Sequence, residues 1–73
     1  MVTNVRLKLG KKIKGLRRKR GYTQDKLAEI TGIDYKYIQK IEGKTPPAVR
    51  IDTIEKLAKG LRFPIWKLLQ FED

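Results

Sequence analysis

Apolar residues along this chain recur three and four positions apart, the period of a helix buried along one side. Leu9, Ile13 and Leu16 form the first such set and predict a helix from about Asn4 to Arg20, stopped at Gly21. Gly10 and Gly15 lie inside it, and each weakens a helix by up to ~1 kcal/mol, so tertiary packing must hold it. Thr23 suits the cap of a second helix, with Asp25 in the favourable first turn, Leu27, Ala28 and Ile30 inward, and Gly32 as its end. Asp34 suits the cap of a third, with Ile38 and Ile41 inward and Gly43 as its stop. After a stiff connector, Lys44-Thr45-Pro46-Pro47-Ala48, Asp52 and Glu55 resemble a capping box opening a fourth helix, with Ile54, Leu57, Ala58 and Leu61 inside. Pro64 suits the first turn of a fifth helix, Ile65 to about Phe71, with Leu68 and Leu69 inward. With no strand candidate, repeat or flexible linker, residues 1–73 read as one all-α, five-helix domain.

Composition narrows the chemistry. A chain of 73 residues is near the lower end of what one core holds together, with ~3–5 kcal/mol of net stability. It contains no cysteine, histidine or serine, so disulfides, most zinc sites and nucleophile–imidazole pairs lack their ingredients. No glycine-rich phosphate loop follows a strand, and four of the eight acids, Asp25, Asp34, Asp52 and Glu55, have helix-start roles and leave no carboxylate pair positioned for acid–base work, so neither an enzyme nor a cofactor is expected. No apolar run approaches the ~20 residues that span a bilayer, and no signal peptide opens the chain, so a soluble cytoplasmic protein is expected.

Charge adds a partner. Eighteen basic residues face eight acidic ones, for a net charge of +10, and residues 1–20 hold nine of the basics and no acid. Net charge alone keeps a protein soluble, but this excess points to a polyanion, either nucleic acid or an anionic membrane face. A membrane-bound helix needs a free apolar face, whereas Leu9, Ile13 and Leu16 are needed inside the domain. Nucleic acid fits better.

Residues 23–43 place two short helices around a turn with one glycine, the geometry of a helix-turn-helix unit. On the second helix of the pair, Tyr35, Lys36, Gln39 and Lys40 share the face opposite Ile38 and Ile41. A merely solvated face more often offers lysine and glutamate. Tyrosine, glutamine and lysine together suit base edges in a major groove, lysine in particular suiting guanine O6 and N7.

The stretch "LGKKIKGLRRKRGYTQDKLAEITGIDYKYIQKIEGK" resembles the helix-turn-helix family of phage Cro and cI repressors and their bacterial and archaeal relatives. The matching elements are Ile13 with Leu16-Arg17, Gly21-Tyr22-Thr23-Gln24, Leu27-Ala28, Gly32, Ile38 and Ile41-Glu42, then Ile54 to Ala58 and Leu68-Leu69. The resemblance implies a lambda-repressor-like five-helix domain that binds double-stranded DNA, usually as a homodimer, and regulates transcription with the recognition helix 34–43 in the major groove. It implies base reading by Tyr35, Lys36 and Lys40, joined by Gln39 on the same face. Phosphate contacts are expected from Thr23, Gln24, Tyr37 and Lys44. Arg17 and Glu42 match a family pair that forms a structural ion pair, so Arg17 is expected to be scaffold. The chain departs from the family pattern where Glu42 is followed directly by Gly43, in the long stretch 46–52, at Gly60 where alanine is common, and at Arg62 where glycine often ends the helix. The same fold also serves antitoxins, restriction–modification controllers and bridging factors that act through protein partners, for which Trp66, Ile65 and Phe71 offer a surface. No small-molecule effector is expected.

Overall fold

A computed structural model describes residues 4–71, and among them the chain is helical with no strand. The helices are α1 (Val5–Lys19), α2 (Gln24–Thr31), α3 (Tyr35–Ile41), α4 (Ile51–Leu61) and α5 (Ile65–Leu68). None is long and apolar enough to cross a membrane. The all-α, five-helix architecture is the one the apolar spacing anticipates.

α1 is capped by the Asn4 side chain, which accepts from the Leu7 amide at 3.2 Å. Its Leu9, Ile13 and Leu16 are buried and packed with Leu27, Ile38, Ile41, Ile54, Leu57, Ala58, Leu61 and Leu68 in one core. α2 lies against both α3 and α4, while α1 touches α3, α4 and α5. The core thus sits where the helix-turn-helix pair rests on a platform formed by the other three. The fully buried aliphatic side chains stabilise by roughly 1.5–3 kcal/mol each before conformational entropy is subtracted.

Gly10 is where α1 crosses the end of α3: a Cβ there would overlap the Ile41 carbonyl oxygen. Close approach, rather than flexibility, is what this glycine provides. Gly60 plays a similar part between α4 and α2, where a Cβ would stand 2.6 Å from Thr31 Cγ2.

Four readings of the helices need correction. α4 begins at Ile51 with Arg50 at its N-cap, in extended geometry, so Asp52 lies inside the first turn and forms no capping box with Glu55. Pro64 is the N-cap of α5 rather than its first helical residue, because its ψ of 147° is extended. α5 stops at Leu68 after one turn, leaving Leu69 at the C-cap and 38% exposed. Ile30 is 41% exposed, beside the α2–α4 crossing at Gly60 instead of inside the core.

Candidate nucleic-acid interface

The site is built from the α2–α3 pair. Thr23 Oγ1 caps α2 by accepting from the Lys26 amide at 3.0 Å, and Asp25 adds negative charge to the first turn. Lys26 reaches Glu29 at 2.9 Å, a bond that holds the lysine pKa above its ordinary value, chiefly through the hydrogen bond and then through charge. Gly32 ends the helix in the left-handed region at φ 74°, with its amide bonded to the Ala28 carbonyl. Thr31 fixes the turn. Its hydroxyl donates to the Leu27 carbonyl at 2.7 Å and accepts from the Ile33 amide at 3.2 Å. That side-chain bridge is invisible to apolar periodicity. Asp34 occupies the N-cap of α3 as expected, but its side chain makes no capping bond.

α3 then divides cleanly. Ile38 and Ile41 are buried, and Tyr35, Lys36, Gln39 and Lys40 are exposed on the opposite side. Tyr35 and Gln39 are joined across one turn, the Gln39 amide donating to the Tyr35 hydroxyl oxygen at 3.0 Å. These four side chains offer hydrogen-bond donors from both lysines, a donor–acceptor amide and a phenol, with no carboxylate among them.

Behind this face lies a network that locks three helices. The Glu42 carboxylate, whose side chain is 2% exposed, accepts from Arg17 Nε at 2.9 Å and Nη2 at 3.0 Å. Arg17 Nη1 donates to the Tyr22 carbonyl at 2.7 Å, and Gln24 Nε2 donates to Glu42 Oε1 at 3.1 Å. The two-pronged pairing of guanidinium with carboxylate fixes geometry as well as charge. None of the described buried side-chain nitrogen or oxygen atoms lacks a partner. α1, the start of α2 and the end of α3 are therefore one unit.

The residues expected at phosphate are placed differently from one another. Thr23 spends its oxygen on the α2 cap, while Gln24 already gives one amide hydrogen to Glu42 and keeps the other. Tyr37 is half-buried, and its hydroxyl donates to the Ala48 carbonyl at 3.3 Å, tying α3 to the following loop. Lys44 is exposed immediately beyond α3 and lines an open groove with Asn4, Arg6 and Thr45.

In the sequence Arg20 reads as one of the nine basic residues of 1–20 and the end of the first helix, with no further role. It donates from Nε to the Leu61 carbonyl at 2.9 Å and from Nη2 to the Arg62 carbonyl at 3.3 Å, and its guanidinium lies 5.2 Å from the Phe63 ring centre. It closes the C-terminal end of α4, a role that a cation suits through both the open carbonyls and the helix dipole.

Comparison with known proteins agrees with this geometry. A hypothetical transcription factor from Neisseria superposes with a TM-score of 0.85 at 28% identity, over 92% of this chain and 74% of its own. The restriction–modification controller C.AhdI from Aeromonas hydrophila gives 0.81 at 30% identity, over 86% and 94% of the two chains. SinR, a master regulator of biofilm formation solved in complex with DNA, gives 0.80 at 31% identity, over 85% and 98%. No curated protein matches the sequence. The family model described as a helix-turn-helix domain matches residues 10–73, from the glycine at the α1–α3 crossing through all the elements that follow, and the chain belongs to that family.

Proposed function

We propose that the protein is a sequence-specific regulator of transcription that binds double-stranded DNA, with α3 lying in the major groove. One observation carries this reading: α3 turns Tyr35, Lys36, Gln39 and Lys40 outward while Ile38 and Ile41 anchor it to the core. A short helix so anchored, with its polar face bare, is the shape a major groove admits. The DNA complex of SinR supports the choice of partner. Tyr35, Lys36, Gln39 and Lys40 read bases, while Thr23, Gln24, Tyr37 and Lys44, with the helix N-termini, set the register on phosphates. Tyr37 reaches a phosphate by turning its hydroxyl proton away from Ala48. No catalytic step belongs to this reading, and a cytoplasmic location accompanies it.

The test is a comparison of operator and random duplexes. Lys36→Ala and Lys40→Ala lose roughly 1–3 kcal/mol of discrimination at particular base pairs, whereas Lys44→Ala weakens binding about equally on every sequence. Equal losses on both kinds of duplex for Lys36, Lys40 and Tyr35 variants refute the reading face.

A symmetric homodimer is the second part of the proposal. Trp66 is 62% exposed and Leu69 38% exposed, three positions apart at the end of the chain. The occupant proposed for them is a second copy, which on DNA implies half-sites about one turn, roughly 34–36 Å, apart. Sedimentation of the protein with Trp66→Ala as control separates the cases: a monomer at all concentrations, with and without DNA, removes the dimer.

A further inference from the structure

We infer that Tyr35 and Gln39 act as a single reading unit, the phenol fixing the rotation of the amide so that Gln39 selects adenine. The inference rests on the proposed placement of α3 in the major groove. Both side chains are exposed, and the Gln39 amide nitrogen lies 3.0 Å from the Tyr35 hydroxyl oxygen.

A lone exposed glutamine turns freely and presents either its nitrogen or its oxygen to a groove. It reads adenine well only when its oxygen faces the N6 amino group and an N–H faces N7. In this protein one amide hydrogen is held by the phenol oxygen. This bond is assigned to the hydrogen trans to the carbonyl oxygen, which turns that oxygen away from Tyr35 and leaves the second amide hydrogen beside it. Those two groups form the acceptor–donor pair that adenine matches. Holding the amide beforehand also removes part of the rotamer entropy that binding would otherwise cost.

Tyr35 gains a defined polarity from the same bond. Its oxygen is already an acceptor toward Gln39, and an amide nitrogen has no lone pair to take the phenol proton. That proton is left to donate outward, to an acceptor such as guanine O6 or N7 or thymine O4 on a neighbouring base pair. Lys36 and Lys40, each one position further along the chain, are donors only. The four residues thus divide into an adenine-selecting amide and three donors.

Selection from a random duplex pool tests this, using the wild type, Tyr35→Phe, Gln39→Ala, the double variant, Lys36→Ala and Lys40→Ala. The expected wild-type site has an adenine whose preference Gln39→Ala erases. Tyr35→Phe lowers the preference for adenine at that same position by about 3- to 10-fold, the worth of one hydrogen bond. The double variant shows no further loss there, because the tyrosine acts through the glutamine. A Tyr35→Phe protein with unaltered adenine preference, or a Gln39→Ala protein that loses no adenine, overturns the inference. If Lys36→Ala and Lys40→Ala still change the preferred site in that case, the reading helix stands and only the coupling is lost. If none of the variants changes the site, both fall.

Discussion

Arg62 occupies the left-handed region at φ 60° and ψ 42°, the only residue other than glycine with positive φ among those described. A side chain costs roughly 1–2 kcal/mol there, and its backbone, not its guanidinium, makes the useful contacts at this helix end. Arg62→Gly is therefore expected to raise stability by about 0.5–1 kcal/mol after the extra chain entropy of glycine is subtracted, measured by urea unfolding. A loss would show that the arginine side chain matters. Arg17 behaves in the opposite way. Removing it leaves the Glu42 carboxylate buried without its cation, at a cost of roughly 3–5 kcal/mol, enough to unfold most of so small a domain. Arg17→Lys recovers only part of this, since an ammonium cannot reproduce the paired bonds or the Tyr22 contact. Replacing both partners, as Arg17→Met with Glu42→Leu, is expected to be milder than either single loss. A double variant as unstable as the sum of the singles would contradict that account.

Two glycines of α1 make the same argument for whole elements. A Cβ at Gly15 meets nothing within 4 Å, whereas one at Gly10 overlaps the Ile41 carbonyl. Gly15→Ala should stabilise by about 0.5–1 kcal/mol through helix propensity alone. Gly10→Ala gains the same propensity but pushes backbone from backbone, so a net loss of roughly 1–3 kcal/mol is expected. Chemical denaturation of the two variants distinguishes the cases by sign, and equal signs would mean that α1 does not press on α3 as the structure has it. The sequence contains both glycines but cannot tell them apart, because propensity is local and the crossing is not. Helices α1 to α3 were legible because Leu9, Ile13, Leu16, Leu27, Ile38 and Ile41 keep the 3.6-residue period, and Thr23 and Gly32 have simple local duties. The start of α4 differs from the reading because Asp52 and Glu55 imitate a capping pattern two residues past the true cap at Arg50. α5 was drawn too long because Leu69 and Phe71 are apolar, although a single turn suffices to bury Leu68. Of the interface, the outward face of α3 could be read from spacing. The Thr31 bridge, the Tyr37–Ala48 bond and the Tyr35–Gln39 bond depend on where side chains meet, which periodicity does not encode.

Net charge is a property of the whole molecule, and the structure divides it. Arg17 is held by Glu42, Arg20 by the end of α4, Lys26 by Glu29, and Arg50 loosely by Asp52 at 3.8 Å. Those four belong to the eighteen basic residues, so a count of basic residues overstates how many cations can meet phosphate. Salt dependence of DNA affinity counts only those that do, because log K falls with log salt by about 0.9 for each phosphate neutralised. Lys44→Ala and Arg20→Ala remove one charge each, yet opposite readouts are expected. Lys44→Ala should make the slope shallower by about 0.9 and leave folding stability within about 0.5 kcal/mol, as an exposed loop residue does. Arg20→Ala should leave the slope unchanged within error but lower stability by about 1–3 kcal/mol, since the Leu61 carbonyl loses its charged donor and the Phe63 ring keeps only Lys67 of its two cations. Binding titrations at several salt concentrations, paired with urea unfolding of each variant, measure both quantities. An Arg20→Ala slope as shallow as that of Lys44→Ala would mean that Arg20 leaves the end of α4 to contact DNA, and the charge assigned to scaffold would have to be returned to the interface.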